Sequence, residues 1–504
     1  MSRVSIIGAG MAGLAAAARL AAQGHAVTVL EAADAIGGKA GEIERTTAAG
    51  TFRFDTGPSL LTYPEVFREL FADTGAPLAE SVTLRRLDPI ARYRFADGVV
   101  IDTRADAAEM LGELRARLGP GPAAEWESFL RRARRMWRAV DGPFLRGELR
   151  AADILRAAPR WPRLPAIAPG RSLAGLARAH LTDPHLRMMA DRFASYAGSA
   201  PDRIPAAYAV IAHLEAALGG WYVEGGLRRL LEAIAARAVQ RGADVRLGAE
   251  ATAIRSAAGA VTGVELADGS VVAADAVVST VDALQTYARL VDPLGGAARW
   301  RLGARHRRLA RAPRSLAGFS MLLGVRGATP GAAHHTVLFP ARYGAEYEAI
   351  FARPARLPAD PAIYVSIPDD PLVRPAGFEA WSVLVNVPRH DASGAGDALD
   401  WTDPRLRTAY AERIFDRLAA RGLPVRERLE FSIVRTPAEL EAETGTPGGA
   451  IYGTAAHGAV RALRPGNRTP VRGLFLAGGT VHPGGGLPLA ALSARTVARI
   501  IGPA

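Results

Sequence analysis

The chain has 504 residues, 49% of them hydrophobic and 22% charged. These proportions exclude a disordered tail, a collagen-like fibre and a coiled coil, and allow about three ordinary domains or two interwoven ones. There is no cysteine, which excludes disulfides, thiolate metal sites, iron–sulfur clusters and a cysteine nucleophile, so redox chemistry must be borrowed from a cofactor; Lys and Arg outnumber Asp and Glu by 62 to 50, a net charge of +12 that predicts an anionic partner.

Val4–Ile7 is a short apolar run suited to a buried parallel strand, and it leads directly into Gly8-Ala9-Gly10-Met11-Ala12-Gly13. Alanine-rich Leu14–Ala22 predicts a helix that Gly24 ends, and His25–Leu30 predicts a second strand closed by Glu31. Arg3 with the apolar run behind it would also pass as a signal peptide, but strand, glycine turn, helix, strand and acid in this order predict a dinucleotide site. Gly8 would permit the tight turn, Gly10 would admit a pyrophosphate, and Gly13 would let the helix pack on the strand. Met11 and Ala12 open the helix whose unpaired N–H groups and positive dipole end face the anion. Glu31, with Ala32 beside it, would reach the adenosine ribose, and its charge disfavours NADP there.

Gly37-Gly38-Lys39 follows, a second backbone approach beside the chain's single lysine, as the longer FAD pyrophosphate can use. Phe52–Pro58 predicts a strand ending in the turn Asp55-Thr56-Gly57-Pro58-Ser59. From Arg131 to Arg192 there are 14 arginines against five acids, interleaved with Phe144, Leu145, Leu149, Ile154, Leu155 and Trp161. From Arg299 to Arg314 there are seven arginines and Trp300 against no acid. Both stretches suit a surface lying on anionic lipid, with a solvated basic face as the alternative. No run reaches the ~18 apolar residues of a spanning helix, and no recognition motif accompanies the charge, so nucleic acid is not the expected partner.

Gly225-Gly226 predicts the start of a helix through Leu227, Leu230, Leu231 and Ile234. A strand through Val245 follows, continuing around Ala251, and Val261–Leu266 with Val271–Val278 predicts a hairpin about Asp268-Gly269. Near the C-terminus, the strand Leu474–Ala477 enters the loop Gly478-Gly479-Thr480-Val481-His482-Pro483-Gly484-Gly485-Gly486-Leu487-Pro488-Leu489, and a helix from Ala490 follows. A second helix N-terminus is thereby aimed at a bound group, suited to the N1/O2 side of a reduced flavin ring.

The N-terminal unit and the loop after Leu476 together resemble the glutathione-reductase-type flavoproteins. Within them, the segments AGGTVHPGGGLP, DTGPSLLTYPEVFRELF, LDPIARYRFADG, GGWYVEGGLRRL and His334-His335 are similar to the bacterial carotenoid desaturases of the phytoene desaturase type. The similarity is closest to the branch of the 1-hydroxycarotenoid 3,4-desaturases, such as hydroxyneurosporene desaturase. Gly479 stands where many flavoproteins carry an aspartate, which sets the chain apart from the amine oxidase and disulfide reductase branches.

The resemblance implies an α/β fold, a Rossmann-type FAD-binding domain interleaved with a mixed α+β substrate domain. Residues 1–115, 215–299 and 451–504 would build the first, and 116–214 with 300–450 the second. It implies FAD held by Gly8, Gly10, Met11, Ala12, Gly13, Glu31, Ala32, Gly38, Lys39, Gly57, Pro58, Ser59, a backbone group near Ala251, and Gly478, Gly479, Thr480, Gly486, Leu487, Pro488 and Leu489. Hydride loss from an allylic C–H to the flavin and proton loss from the neighbouring carbon would make one double bond in a long acyclic carotenoid. Only a weak base is then required, and His482, Glu224 and Tyr196 are candidates. A substrate so insoluble would be drawn from lipid through an apolar tunnel, implying a cytoplasmic protein attached peripherally to the membrane. Alternatives are a phytoene desaturase making several successive bonds, an isomerase without net oxidation, and a non-catalytic prenyl-lipid escort resembling the Rab GDP-dissociation inhibitors. No metal is expected.

Overall fold

In the computed structural model, which describes residues 1–148, 164–291, 296–394, 396–458 and 463–504, the strand Arg3–Ile7 is the middle of a five-stranded parallel sheet. The spatial order is Leu474–Leu476, Ala276–Ser279, Arg3–Ile7, Ala26–Leu30, Asp244–Arg246. Numbered by position in the chain, these strands lie 5-4-1-2-3, the order of a doubly wound dinucleotide fold, whose switch point falls between the first and fourth.

Alternate residues of these strands enter two cores. Val4, Ile6, Val27, Val29 and Val278 pack with the helices Met11–Ala22, Arg228–Gln240 and Leu487–Ile501. Ile7, Leu30 and Val277 pack instead with Ile254, Val261, Val264 and Leu266 of a three-stranded antiparallel sheet. That small sheet contains the predicted hairpin in shortened form. Val271–Ala273 pairs with Ala260–Leu266, but the chain then leaves it, and Ala276–Ser279 joins the parallel sheet. Asp275 anchors the departure by accepting from the backbone N and guanidinium of Arg3, each at 2.8 Å.

The second body is a seven-stranded sheet, ordered Leu429–Arg435, Ala317–Arg326, Phe378–Val387, Ile363–Ser366, His335–Leu338, Ala91–Arg94, Val100–Thr103. Its last two strands lie within 1–115, which the sequence assigned to the flavin domain. Hydrogen bonding places them in the other sheet, because Thr336 to Leu338 pair in parallel with Arg92 to Arg94. One face of this sheet is sealed: Phe319, Met321, Val383, Val385, Ile363 and Val365 bury against Ile414, Leu418 and Trp401 of and beside the helix Pro404–Ala420. On the opposite face Gly318, Ser320, Tyr364, Ser382 and Leu384 are only half-buried, although they occupy the middle of the sheet.

Candidate flavin and substrate site

Gly8 turns the chain with φ +100°, and a Cβ there would lie 2.5 Å from Thr280 Oγ1. A Cβ on Gly13 would overlap the Gly8 carbonyl oxygen, so glycine at both positions follows from the packing of turn against helix. Gly10 is different. It caps Met11–Ala22 without a side-chain hydrogen bond, and a Cβ on it would touch only Gly37 O, at 3.8 Å. The protein itself does not need glycine here; a phosphate approaching the free N–H groups of the helix does.

Gly37 N donates to Ala9 O at 3.0 Å, bringing the second glycine pair beside the first loop. Glu31 lies against that loop as well, accepting from Ala9 N at 2.6 Å and Ala33 N at 3.1 Å. Ala32 is exposed next to it. The 246–251 segment is tied to the same acid: Glu31 N donates to Arg246 O, and Ala249 N to Glu31 O. Ala251 then begins the strand Ala251–Ala257.

Lys39 departs from its expected place at the pyrophosphate. Its ammonium donates to Ala450 O at 3.2 Å and Ile451 O at 3.0 Å, and burial lowers its pKa to about 8. It therefore fixes the segment entering Tyr452. Gly57 packs on the backbone of the same lysine, where a Cβ would come within 2.6 Å of Lys39 O, and Pro58 and Ser59 extend from there. Asp55, one turn earlier, accepts from Leu227 N at 3.0 Å and Arg228 N at 3.3 Å. The aspartate of the DTGPS turn thus caps the helix Arg228–Gln240 from a distant part of the chain.

The second helix N-terminus is formed, at Leu487 rather than at the expected Ala490. Gly486 caps Leu487–Ile501 without a side-chain bond, Pro488 lies in its first turn, and a Cβ on Gly486 would meet nothing within 4 Å. Leu487 and Leu489 open the helix. A Cβ on Gly478 would stand 3.7 Å from Ala12 Cβ, so the two glycine loops adjoin at the switch point. Gly479 approaches Gly485, and Thr480 Oγ1 accepts from Ala283 N at 3.1 Å. Beside them, buried Asp282 accepts from Leu284 N at 2.8 Å through Oδ1, while its Oδ2 has no partner. An orphaned carboxylate oxygen and two helix ends without side-chain caps fit FAD: the ends for its phosphates and ring, the acid for a hydroxyl between them.

Above the loops Arg192, Tyr196, Tyr364 and Tyr452 are only half-buried, which leaves a chamber among them. Tyr452 stands against Gly485, where any Cβ would overlap its ring, and it interacts electrostatically with Tyr196 and Arg192. Tyr364, on the seven-stranded sheet, interacts with Ser59 of the DTGPS turn and with the same Tyr196 and Arg192, and its hydroxyl is paired with His335 Nδ1 at 2.7 Å. The half-buried inner residues of the sheet therefore line a space bounded below by the second flavin loop and the DTGPS turn.

Residues 11–310 match the family described as flavin containing amine oxidoreductase. The chain is 34% identical to a hydroxyneurosporene desaturase of Cereibacter sphaeroides, covering 99% of this chain and 97% of that protein. It is 32% identical to a 4,4'-diapolycopene oxygenase of Methylomonas sp, covering 98% and 97%. Among solved structures, an oxidoreductase from Methanosarcina mazei shares the fold with a TM-score of 0.67 at 18% identity, covering 99% of this chain and 100% of that one. The chain belongs to the bacterial carotenoid desaturase family. It is an FAD-dependent oxidoreductase.

Within this family member the three candidate bases lie in different surroundings. His482 is 1% exposed; its Nε2 bonds to Gly147 O at 3.1 Å and its ring stands edge-on to Phe144. Burial lowers its pKa, and its backbone O accepts from Asn467 and Ser493. The ring thus braces the loop from behind. Glu224 is exposed in the turn before Gly225. Tyr196 alone of the three faces the chamber.

Sequence reasoning missed Asp282, Tyr452, Arg192, Glu215 and Tyr364. A signal existed only for Asp282, an acid just past the apolar run Ala276–Ser279, where strands of such a sheet present ligands.

Proposed function

We propose that the protein desaturates an acyclic carotenoid at the 3,4 bond of a 1-hydroxylated end group. The observation that carries this reading is the end-to-end relationship with the Cereibacter hydroxyneurosporene desaturase. An elongated substrate is supported by the chamber between the flavin loops and the half-buried sheet face. FAD, when bound, supplies the acceptor for a hydride from the allylic carbon. The chain's own part is to hold that bond over the loops, exclude water by the sealed sheet, and take up the second hydrogen as a proton.

Incubating the holoenzyme with a 1-hydroxylated acyclic carotenoid and with its unhydroxylated counterpart tests the reading. The expected product is the hydroxylated polyene lighter by two hydrogens, absorbing at longer wavelength. A product that gains oxygen would point to the chemistry in the Methylomonas protein's name. Several successive double bonds in the plain polyene would point to a phytoene-type enzyme, and a flavin-free protein to an escort.

The reading includes peripheral attachment to anionic lipid. Arg131, Arg134, Arg135 and Arg138 are exposed along the helix Pro120–Val140. Trp300, 70% exposed, stands between exposed Arg299 and Arg301. No helix among the described residues is long and apolar enough to cross a membrane. Phe144 and Leu145, expected at the lipid face, instead pack into the flavin-domain core, while Leu149, Ile154, Leu155 and Trp161 lie outside the described residues. Absence of binding to anionic vesicles at low salt would remove the membrane from this reading.

A further inference from the structure

Arg192 ends the helix Pro184–Arg192 and projects into the chamber wall. Its guanidinium lies over the rings of Tyr196 at 5.1 Å, Tyr93 at 5.5 Å and Tyr364 at 6.0 Å. Two hydrogen bonds leave it toward described residues, both from Nη1: to Tyr196 OH at 3.0 Å and Tyr93 OH at 3.2 Å. Neither Nη2 nor Nε donates to a described residue, and neither atom is sealed from the chamber. Tyr196 OH in turn faces Glu215 Oε2 at 3.4 Å, on the helix Val210–Leu218.

Burying a guanidinium is costly unless its donors are matched, and a leucine at this position would spare the fold that cost. A cation with two phenols behind it and open donors in front is poorly explained by stability. It is well explained by an oxygen that arrives with a ligand. The arrangement offers both halves of what a hydroxyl needs: N–H donors from Arg192 toward its lone pairs, and the Glu215 carboxyl with Tyr196 OH to accept its proton. Here a cation and a carboxyl meet in the wall, so this is where an oxygenated end of a polyene would be told from a hydrocarbon end. The location fits the chemistry. Tyr452 links the cluster to Gly485 of the flavin loop, and in a 1-hydroxylated chain the oxygen-bearing carbon is only two carbons from the bond to be oxidised at C3–C4.

We propose that Arg192, Tyr196 and Glu215 form a hydroxyl-binding subsite that seats the oxygenated end of the carotenoid beside the flavin and sets the enzyme's preference for it. This rests on the functional reading above and specifies which residues impose it. Rejection of the hydrocarbon follows from the same residues, since a plain end group would cover Nη2 and Nε of Arg192 without matching them.

Binding is measured by the absorption shift of the polyene on the holoenzyme with its flavin reduced, so that no turnover intervenes. The probes are a 1-hydroxylated acyclic carotenoid and the same carotenoid lacking the hydroxyl. Wild type should bind the hydroxylated probe about tenfold tighter. Arg192→Met should bring the two affinities together, mainly by weakening the hydroxylated probe. Tyr196→Phe, which removes one oxygen and leaves the ring packing, should narrow the preference about threefold at unchanged flavin content, and it carries the test if Arg192→Met fails to fold. Equal affinities in wild type, or a preference that survives Tyr196→Phe undiminished, overturn the subsite. Failure of the functional reading shows separately, as absence of a dehydrogenated product from the oxidised holoenzyme whatever the binding preference.

Discussion

Gly13 sits so close beneath Gly8 that a Cβ on the helical glycine would overlap the carbonyl oxygen of the turn glycine. The contact locks the first helix to the first strand, and with it the direction in which the free N–H groups point. Gly13→Ala should therefore lower stability by about 1–3 kcal/mol through overpacking and reduce the flavin retained on purification. Thermal melts and the ratio of visible to ultraviolet absorbance measure the two effects; a fully yellow variant of wild-type stability contradicts the contact.

Asp55 gives a pH dependence. Burial pushes its carboxyl up to about 7, against the two backbone N–H bonds from Leu227 and Arg228 that favour the charged form. The folded value lies above the unfolded one of about 4, so the folded chain holds the extra proton. The contribution is present below about pH 4 and is lost as pH rises through about 7. Asp55→Asn keeps an acceptor for the helix cap and cannot ionise. Its urea midpoint should decline less than that of wild type between about pH 5 and about pH 8, and parallel profiles would show that Asp55 does not titrate there.

Asp282→Asn preserves the Oδ1 bond to Leu284 N and exchanges the unpartnered Oδ2 acceptor for a donor. FAD should dissociate about tenfold more readily, the effect of one lost hydrogen bond to a charged group. Recovery of flavin fluorescence on dilution reads this directly, and an unchanged affinity would leave Oδ2 without a ligand role.

His482 turns its ring toward Phe144 and Gly147, away from the chamber. For His482→Ala, a loss of about 1–3 kcal/mol in stability is expected, with flavin retained and turnover per flavin near that of wild type. Turnover abolished in a stable, fully flavinated variant would return the histidine to the mechanism.

The flavin half of the site was legible because local chain chemistry specifies it. A glycine turn before a helix predicts an anion site whatever surrounds it, and the structure forms both such turns where the residues implied. Lys39 shows the limit of that reading. Its sequence neighbours suggested a phosphate partner, but the carbonyls it meets belong to Ala450 and Ile451, more than four hundred residues away. The hairpin expected across Val271–Val278 forms only as far as Ala273 for a related reason. Ala276–Ser279, fully buried on both faces, is claimed by the parallel sheet, and propensity cannot say which partner a strand will choose.

What the sequence determined by itself was the cofactor fold, through spacings of glycine, apolar runs and acids that act over a few residues. What only the tertiary structure decided was the chamber: Arg192, Tyr196, Glu215, Tyr364 and Tyr452 come from separate helices, strands and loops and share no motif. Their meeting depends on how two sheets pack around one cavity, and a buried polar cluster of that kind is written in long-range contacts rather than in any run of residues.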